Sequence, residues 1–222
     1  MSVTKQRVLF IGNSYTYCND LPAMVAQFAT AGGKSVDVHH VTTGGVTLEW
    51  HTQNEATLDT LHNEAWDFVV LQEHSIRPIQ DTPKMFQATG ILQSLIAPTG
   101  AQTVLYMTWA RQHFPEMQAG LARIYTVLAQ QIGARVAPVG LAWEAALLAD
   151  PSLALYQEDK SHPTSLGSYL AACVFYATFF SESPVGLPAK LTTAGGEVLV
   201  DIPETQAQLL QGVAWDVVRR LG

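Results

Sequence analysis

Three short runs of uninterrupted apolar, β-rich residues constrain this chain more than any other feature: 8–11 (VLFI), 67–71 (DFVVL) and 103–107 (TVLYM). A strand with no polar face has both faces covered. Stretches with helical spacing lie between these runs, so the connections are crossovers rather than hairpins, and the chain is expected to form a parallel sheet with helices on both faces. Residues 35–41, with Val36, Val38 and His40 on one face, and residues 135–139 supply two further strands. Helices are expected from about residue 20, with Leu21, Val25, Phe28 and Ala29 sharing a face, and over about 52–63, 83–96, 116–132, 141–149 and 165–180. The last of these is mostly apolar and must be largely buried.

With 222 residues, 48% of them hydrophobic, the chain can close one core, and a single domain over 1–222 is expected. Beyond Ser181 the pattern weakens: residues 182–203 begin Pro/Gly-rich and continue as a small surface hairpin or flap around Gly195 and Gly196. A final amphipathic helix, about 204–220, would dock Leu209, Val213, Val217 and Leu221. A net charge of −7 with 12 Lys+Arg and no basic run argues against nucleic acid or an anionic membrane as partner. A neutral or cationic small molecule is easier to accommodate, although net charge selects no substrate. The N-terminus runs straight into the first strand with no leader pattern, and no segment is long enough to cross a bilayer, which points to a cytoplasmic protein. Cys18 and Cys173 have no metal-ligand spacing and read as reduced thiols, with a single disulfide as the alternative. Oligomeric state is left open.

The chemistry gathers at one rim. Ser14 follows the first strand directly, after Gly12 and Asn13, while Gly44, Gly45 and Gln72 follow the second and third strands. In a parallel sheet these carboxyl ends share an edge, where open α/β sheets place ligands and nucleophiles. Asp159 and His162, in QEDKSHPTS, precede the long helix, and their spacing lets one loop fold the carboxylate onto the imidazole and hold the tautomer that accepts a serine proton. Each has a plainer competitor: a serine in such a turn is usually a cap, Gly44 and Gly45 allow positive φ, Gln72 can satisfy backbone groups, and Asp159 with His162 can be a surface pair. Trp50, His74, Trp109 and Arg111 lie in or near loops on the same rim as candidate substrate-pocket residues, and Trp66 and Trp143 read as core. His39 and His40 point to opposite faces of a strand, and His51, His62 and His113 show no ligand spacing, so no metal site is expected.

GNSYT around Ser14 resembles the first block of the SGNH hydrolases, or GDSL-like esterases, with Asn13 where many members carry Asp. DKSH, residues 159–162, looks like their DxxH block, and Gly45 in GGVT fits the glycine of the second. The third block departs from the pattern, because LQEHS stands where GxND is usual. Together these stretches resemble an outlying bacterial branch of the superfamily. The resemblance implies a three-layer α/β/α sandwich around a five-stranded parallel, flavodoxin-like sheet, and a cofactor-free serine esterase acting on small-molecule carboxylic esters, short acyl or O-acetyl, carbohydrate esters among them. It casts Ser14 as nucleophile, His162 as base and Asp159 as its partner, with Ser14, Gly45 and the Gln72 amide as the oxyanion hole. Two alternatives stay open. A flavodoxin-like module cradling flavin or phosphate on the NSYT turn is one, although the turn lacks the glycines of a dinucleotide fingerprint and the GK[ST] of a P-loop. A catalytically silent binding protein on the same fold is the other.

Overall fold

The structure, a computed structural model, describes residues 5–193 and 195–221. In chain order the elements are β1 (Gln6–Gly12), α1 (Ser14–Tyr17), α2 (Leu21–Ala31), β2 (Val36–Thr42), α3 (Leu48–His51), α4 (Glu55–Asn63), β3 (Phe68–Leu71), α5 (Arg77–Gln80), α6 (Thr82–Ile96), β4 (Gln102–Tyr106), α7 (Met117–Ile132), β5 (Arg135–Ala137), α8 (Val139–Ala149), α9 (Ser165–Phe180), β6 (Lys190–Thr192), β7 (Val198–Asp201) and α10 (Glu204–Leu221). The first five strands form one parallel sheet in the order β2-β1-β3-β4-β5. The fold is a three-layer α/β/α sandwich.

Alternation along β1 divides the core. Val8 and Phe10 face the side covered by α2, α8, α9 and α10, while Leu9 and Ile11 face the side covered by α3, α4, α6 and α7. All four side chains are buried, at about 1.5–3 kcal/mol each by area transfer. The sheet order also places the site. The chain leaves β1 for β2 on one side and returns to β3 on the other, so the crossovers diverge and leave a crevice at the carboxyl end of β1. Gly12 closes that strand because there is no room for more: a Cβ there would lie 2.8 Å from Thr16 Oγ1 and 2.9 Å from Gln72 Cβ.

Helix α9 is buried from Leu166 to Phe179 and lies against α2, α8 and α10. Thr164 caps it by accepting from the Gly167 N–H at 3.2 Å, so the segment carrying Asp159 and His162 runs directly into the most deeply buried helix.

Several boundaries differ from expectation. The helix expected over 52–63 begins only at Glu55, and a short helix outside the expected ranges, α3, precedes it; Asn54 caps α4 and Thr47 caps α3, each side chain accepting a backbone N–H three residues on. The last parallel strand is shorter than expected and the chain is already helical at Val139. On α10 the fully buried positions are Ala207, Leu210, Gln211 and Ala214; Leu209, Val213 and Val217 pack at the margin of the core, and Leu221 is exposed, so the docked stripe is rotated from the expected one. Residues 182–203 contain an antiparallel hairpin, β6 with β7, whose residue 194 lies outside the described residues. The N-terminal reading likewise falls in part on residues 1–4, outside that range. Cys18 and Cys173 are both free thiols. Among the described residues no helix is long and apolar enough to cross a membrane, and no group of three or more His, Cys, Asp or Glu is arranged to hold a metal.

Candidate active site

Ser14 is the first residue of α1, set there by the residue before it. Asn13 caps that helix, its Oδ1 accepting from the Tyr15 N–H at 3.1 Å, while its Nδ2 donates to Val46 O at 2.9 Å and ties the turn to the loop after β2. Below, Gln72 Oε1 accepts from the Asn13 N–H at 2.8 Å and from the Thr16 hydroxyl at 3.0 Å. His51, fully buried, donates from Nε2 to Gly12 O at 2.9 Å, and its Nδ1 meets the Thr57 hydroxyl at 2.8 Å. Burial pushes the pKa of His51 down, the Gly12 carbonyl opposing, and keeps the ring neutral beneath the turn.

Ser14 Oγ lies 2.8 Å from His162 Nε2, and His162 Nδ1 bonds to Asp159 Oδ2. The other Asp159 oxygen accepts from the backbone N–H of Ser161 at 3.0 Å and of His162 at 2.9 Å. Burial alone would raise the Asp159 pKa, but the His162 ring and these two N–H groups outweigh it and hold the carboxyl at about 2. Lys160, between them, takes a left-handed conformation (φ 61°) that closes the loop. The Tyr15 hydroxyl meets the Ser161 hydroxyl at 2.5 Å, Trp109 Nε1 donates to Ser161 O at 3.0 Å, and the Gln112 N–H donates to Lys160 O at 3.0 Å, so this loop is held from three directions.

These side chains open onto a cavity of about 150 Å³ lined by Ser14, Tyr15, Gly45, His74, Ser75, Arg111 and His162 among others. Gly45 has φ 72°, and among the described residues neither its N–H nor that of Ser14 donates to another group. Gly45 and His74 also border an open cleft of about 450 Å³ whose wall continues through Thr47, Arg77, Gln80 and Asp81. A cavity of about 470 Å³ elsewhere, lined by Gly133, Arg135, Thr178 and Leu221 among others, contains no nucleophile with a base beside it.

The structure therefore brings Ser14, Asp159, His162, Gly45, His74 and Arg111 together, and leaves three candidates outside. The Gln72 amide is a correction: its Nε2 donates to Glu73 O at 2.5 Å, and the side chain is buried under the turn that carries Ser14, accepting rather than donating toward it. Trp109 is another, since it does not line the cavity. It is 1% exposed and stacked between Tyr15 and Trp143, with ring centroids 4.8 and 3.9 Å away. Trp50 stands half-exposed on α3, edge-on to His51, and lines neither the cavity nor the cleft.

Tyr15, His51, Glu73 and Ser161 escaped the sequence reading. Glu73 Oε1 accepts from the Leu48 N–H at 3.1 Å and the His74 N–H at 2.6 Å, joining α3 to the exit of β3. Burial outweighs those two donors and raises its carboxyl to about 7. Nothing in the spacing of these residues announces them, because their partners come from distant elements.

No protein-family model matches the sequence, and a search of curated proteins finds no match. Solved structures do. A protein from Slackia heliotrinireducens assigned to the SGNH hydrolases is 31% identical, with a TM-score of 0.67 over 79% of this chain and 99% of that one. A DUF4886 family protein from Bacteroides uniformis superposes with a TM-score of 0.78 at 19% identity, covering 97% of this chain and 95% of its own. Axe2, an acetylxylan esterase from Geobacillus stearothermophilus, gives 0.63 at 17% identity over 82% and 98%; these last two likenesses carry the fold alone. On the identity and near-complete coverage of the Slackia protein, the chain belongs to the SGNH hydrolase superfamily.

Proposed function

We propose that this protein hydrolyses carboxylic esters through an acyl-enzyme formed on Ser14. The observation that carries this reading is the hydrogen-bonded run from Ser14 Oγ to His162 Nε2, at 2.8 Å, and from His162 Nδ1 to Asp159. Ser14 Oγ attacks the acyl carbon as His162 Nε2 takes its proton, and Asp159, ionised well into acid, stabilises the imidazolium. The negative oxygen that develops is met by the backbone N–H groups of Ser14 and Gly45, which are free to donate; one such donor is worth about 3 kcal/mol of barrier. Collapse expels the alcohol with the proton from His162. Water then attacks the acyl-enzyme, gives its proton to the same nitrogen, and releases the acid and Ser14.

The cavity of about 150 Å³ beside Ser14 suits a short acyl group such as acetyl, and the polar cleft past Gly45 and His74 receives the alcohol, which a carbohydrate would fit. Labelling by a fluorophosphonate probe tests the reading: the wild-type protein is expected to label and to turn over 4-nitrophenyl acetate, and folded Ser14→Ala to do neither. Unchanged turnover in Ser14→Ala rules out the mechanism.

A further inference from the structure

Arg111 is a guanidinium in the wall of the nucleophile's cavity with no acid to answer it. Its Nη2 donates to Ser75 Oγ at 3.2 Å, a neutral acceptor, and its Nε is buried with no hydrogen-bond partner. Among the described residues no carboxylate lies within ion-pair distance of it, whereas Arg7 is paired with Asp37 and Glu64, Arg77 with Glu49 and Asp81, and Arg219 with Asp216; Arg123, Arg135 and Arg220 also have no ion pair there, but none of them lines this cavity. In a chain with 19 Asp+Glu against 12 Lys+Arg, acids are not scarce. The two acids nearest the site are committed elsewhere, Asp159 to His162 and Glu73 to the backbone N–H groups of Leu48 and His74. His74, in the same wall as Arg111, has its pKa lowered by burial first and then by Arg111 and Arg77.

A partly buried charge without a counter-ion is costly, and a guanidinium is shaped to recover that cost from a carboxylate through paired hydrogen bonds. The oxygen that becomes negative during acyl transfer already faces two free N–H groups, so Arg111 answers a charge the substrate brings with it. Its neighbour Arg77 borders the outer cleft and is neutralised there by Glu49 and Asp81, which leaves Arg111 as the cation available to an anion.

We infer that Arg111 binds a carboxylate on the ester substrate, making short anionic esters the preferred substrates despite the protein's net negative charge. This rests on Ser14 being the nucleophile of an esterase. The carboxylate can sit on the acyl side, as in a half-ester of succinic acid, or on the alcohol side, as in the acetyl ester of a hydroxybenzoic acid.

The test compares kcat/KM for 4-nitrophenyl acetate, mono-4-nitrophenyl succinate and 4-acetoxybenzoate in the wild type, Arg111→Gln and Arg111→Lys. The wild type is expected to favour one of the two anionic esters, which identifies the side carrying the charge. Arg111→Gln is expected to lower the anionic-to-neutral ratio about tenfold or more, with Arg111→Lys between. Succinate is expected to inhibit the wild type competitively and butane-1,4-diol not to, a comparison that needs no variant to fold. Turnover of 4-nitrophenyl acetate with no anionic preference, or a ratio unchanged in folded Arg111→Gln, overturns the inference and leaves the esterase reading standing. Turnover of none of the three esters overturns the esterase reading; in that case, failure of Ser14→Ala protein to bind the succinate half-ester by calorimetry overturns the anion site as well.

Discussion

The hydroxyl of Tyr15 meets the hydroxyl of Ser161 at 2.5 Å, so the residue after Ser14 is fastened to the residue before His162. Both groups are buried, and the Tyr15 ring packs flat on Trp109 and edge-on to His162. Tyr15→Phe keeps the stacking and removes the fastening. The variant is expected to lose about 1 kcal/mol of stability and to show a kcat lowered about tenfold with KM little changed. Steady-state kinetics beside a thermal melt check this, and an unaltered kcat in the variant refutes it.

Acidification leaves the Asp159 carboxylate charged until far below neutral pH. The folded-state pKa of Asp159 is depressed from its ordinary 3.8 to about 2, so its pairing is present above the ordinary value and is lost only as pH falls toward 2. Asp159 is therefore ionised throughout the neutral range, and any loss of kcat/KM between about pH 8 and about pH 5 is expected to be the same in wild type and in Asp159→Asn, since this carboxyl does not titrate there. Asp159→Asn is expected to lower kcat at every pH, because the ring loses the acceptor that fixes its tautomer.

Glu73 runs the other way. Its carboxyl is 1% exposed, and its pKa is raised from an ordinary 4.5 to about 7 by burial, so the stability linked to its protonated form is complete below the ordinary value and is lost as pH rises through 7. The difference amounts to about 3 kcal/mol as an upper figure. Glu73→Gln keeps an oxygen for the Leu48 and His74 N–H groups without the charge. Its melting temperature is expected to exceed that of the wild type near pH 8 and to approach it near pH 5; equal offsets at both pH values would refute the assignment.

Gln72 offers a direct contrast between holding the turn and stabilising an oxyanion. Gln72→Met removes the acceptor for the buried Asn13 N–H and is expected to cost about 1–3 kcal/mol of stability. In the folded fraction kcat is expected to fall less than the roughly hundredfold loss that removing an oxyanion donor brings. A larger fall, with the melting temperature preserved, would return Gln72 to the oxyanion hole.

What the sequence made legible was whatever is written in local pattern. The strands at 8–11, 68–71 and 103–106 are unbroken apolar runs, and helix 165–180 is too apolar to lie anywhere but inside, so layer order and buried faces followed. Ser14, Gly45, Asp159 and His162 stood out because each sits where a strand ends or a helix begins. Trp109 was misplaced because an aromatic just past a strand end has the same local signature whether it turns toward a cleft or, as here, lies between two other rings. The supporting roles of His51 and Glu73 could not be read, since what defines them is a backbone carbonyl 39 positions away and an N–H 25 positions away. The short helix at 48–51 and the start of the next one at 55 needed the capping hydrogen bonds themselves, which composition does not record.

The docking of α9 has a consequence for biogenesis. As the polypeptide emerges from the ribosome, the hydroxyl at position 14 is made nearly 150 residues before the imidazole at 162, whose segment runs directly into the deeply buried α9. A chain truncated before that point therefore holds Ser14 without its imidazole partner, and the pair is completed by the late C-terminal half of the fold rather than by synthesis of the serine.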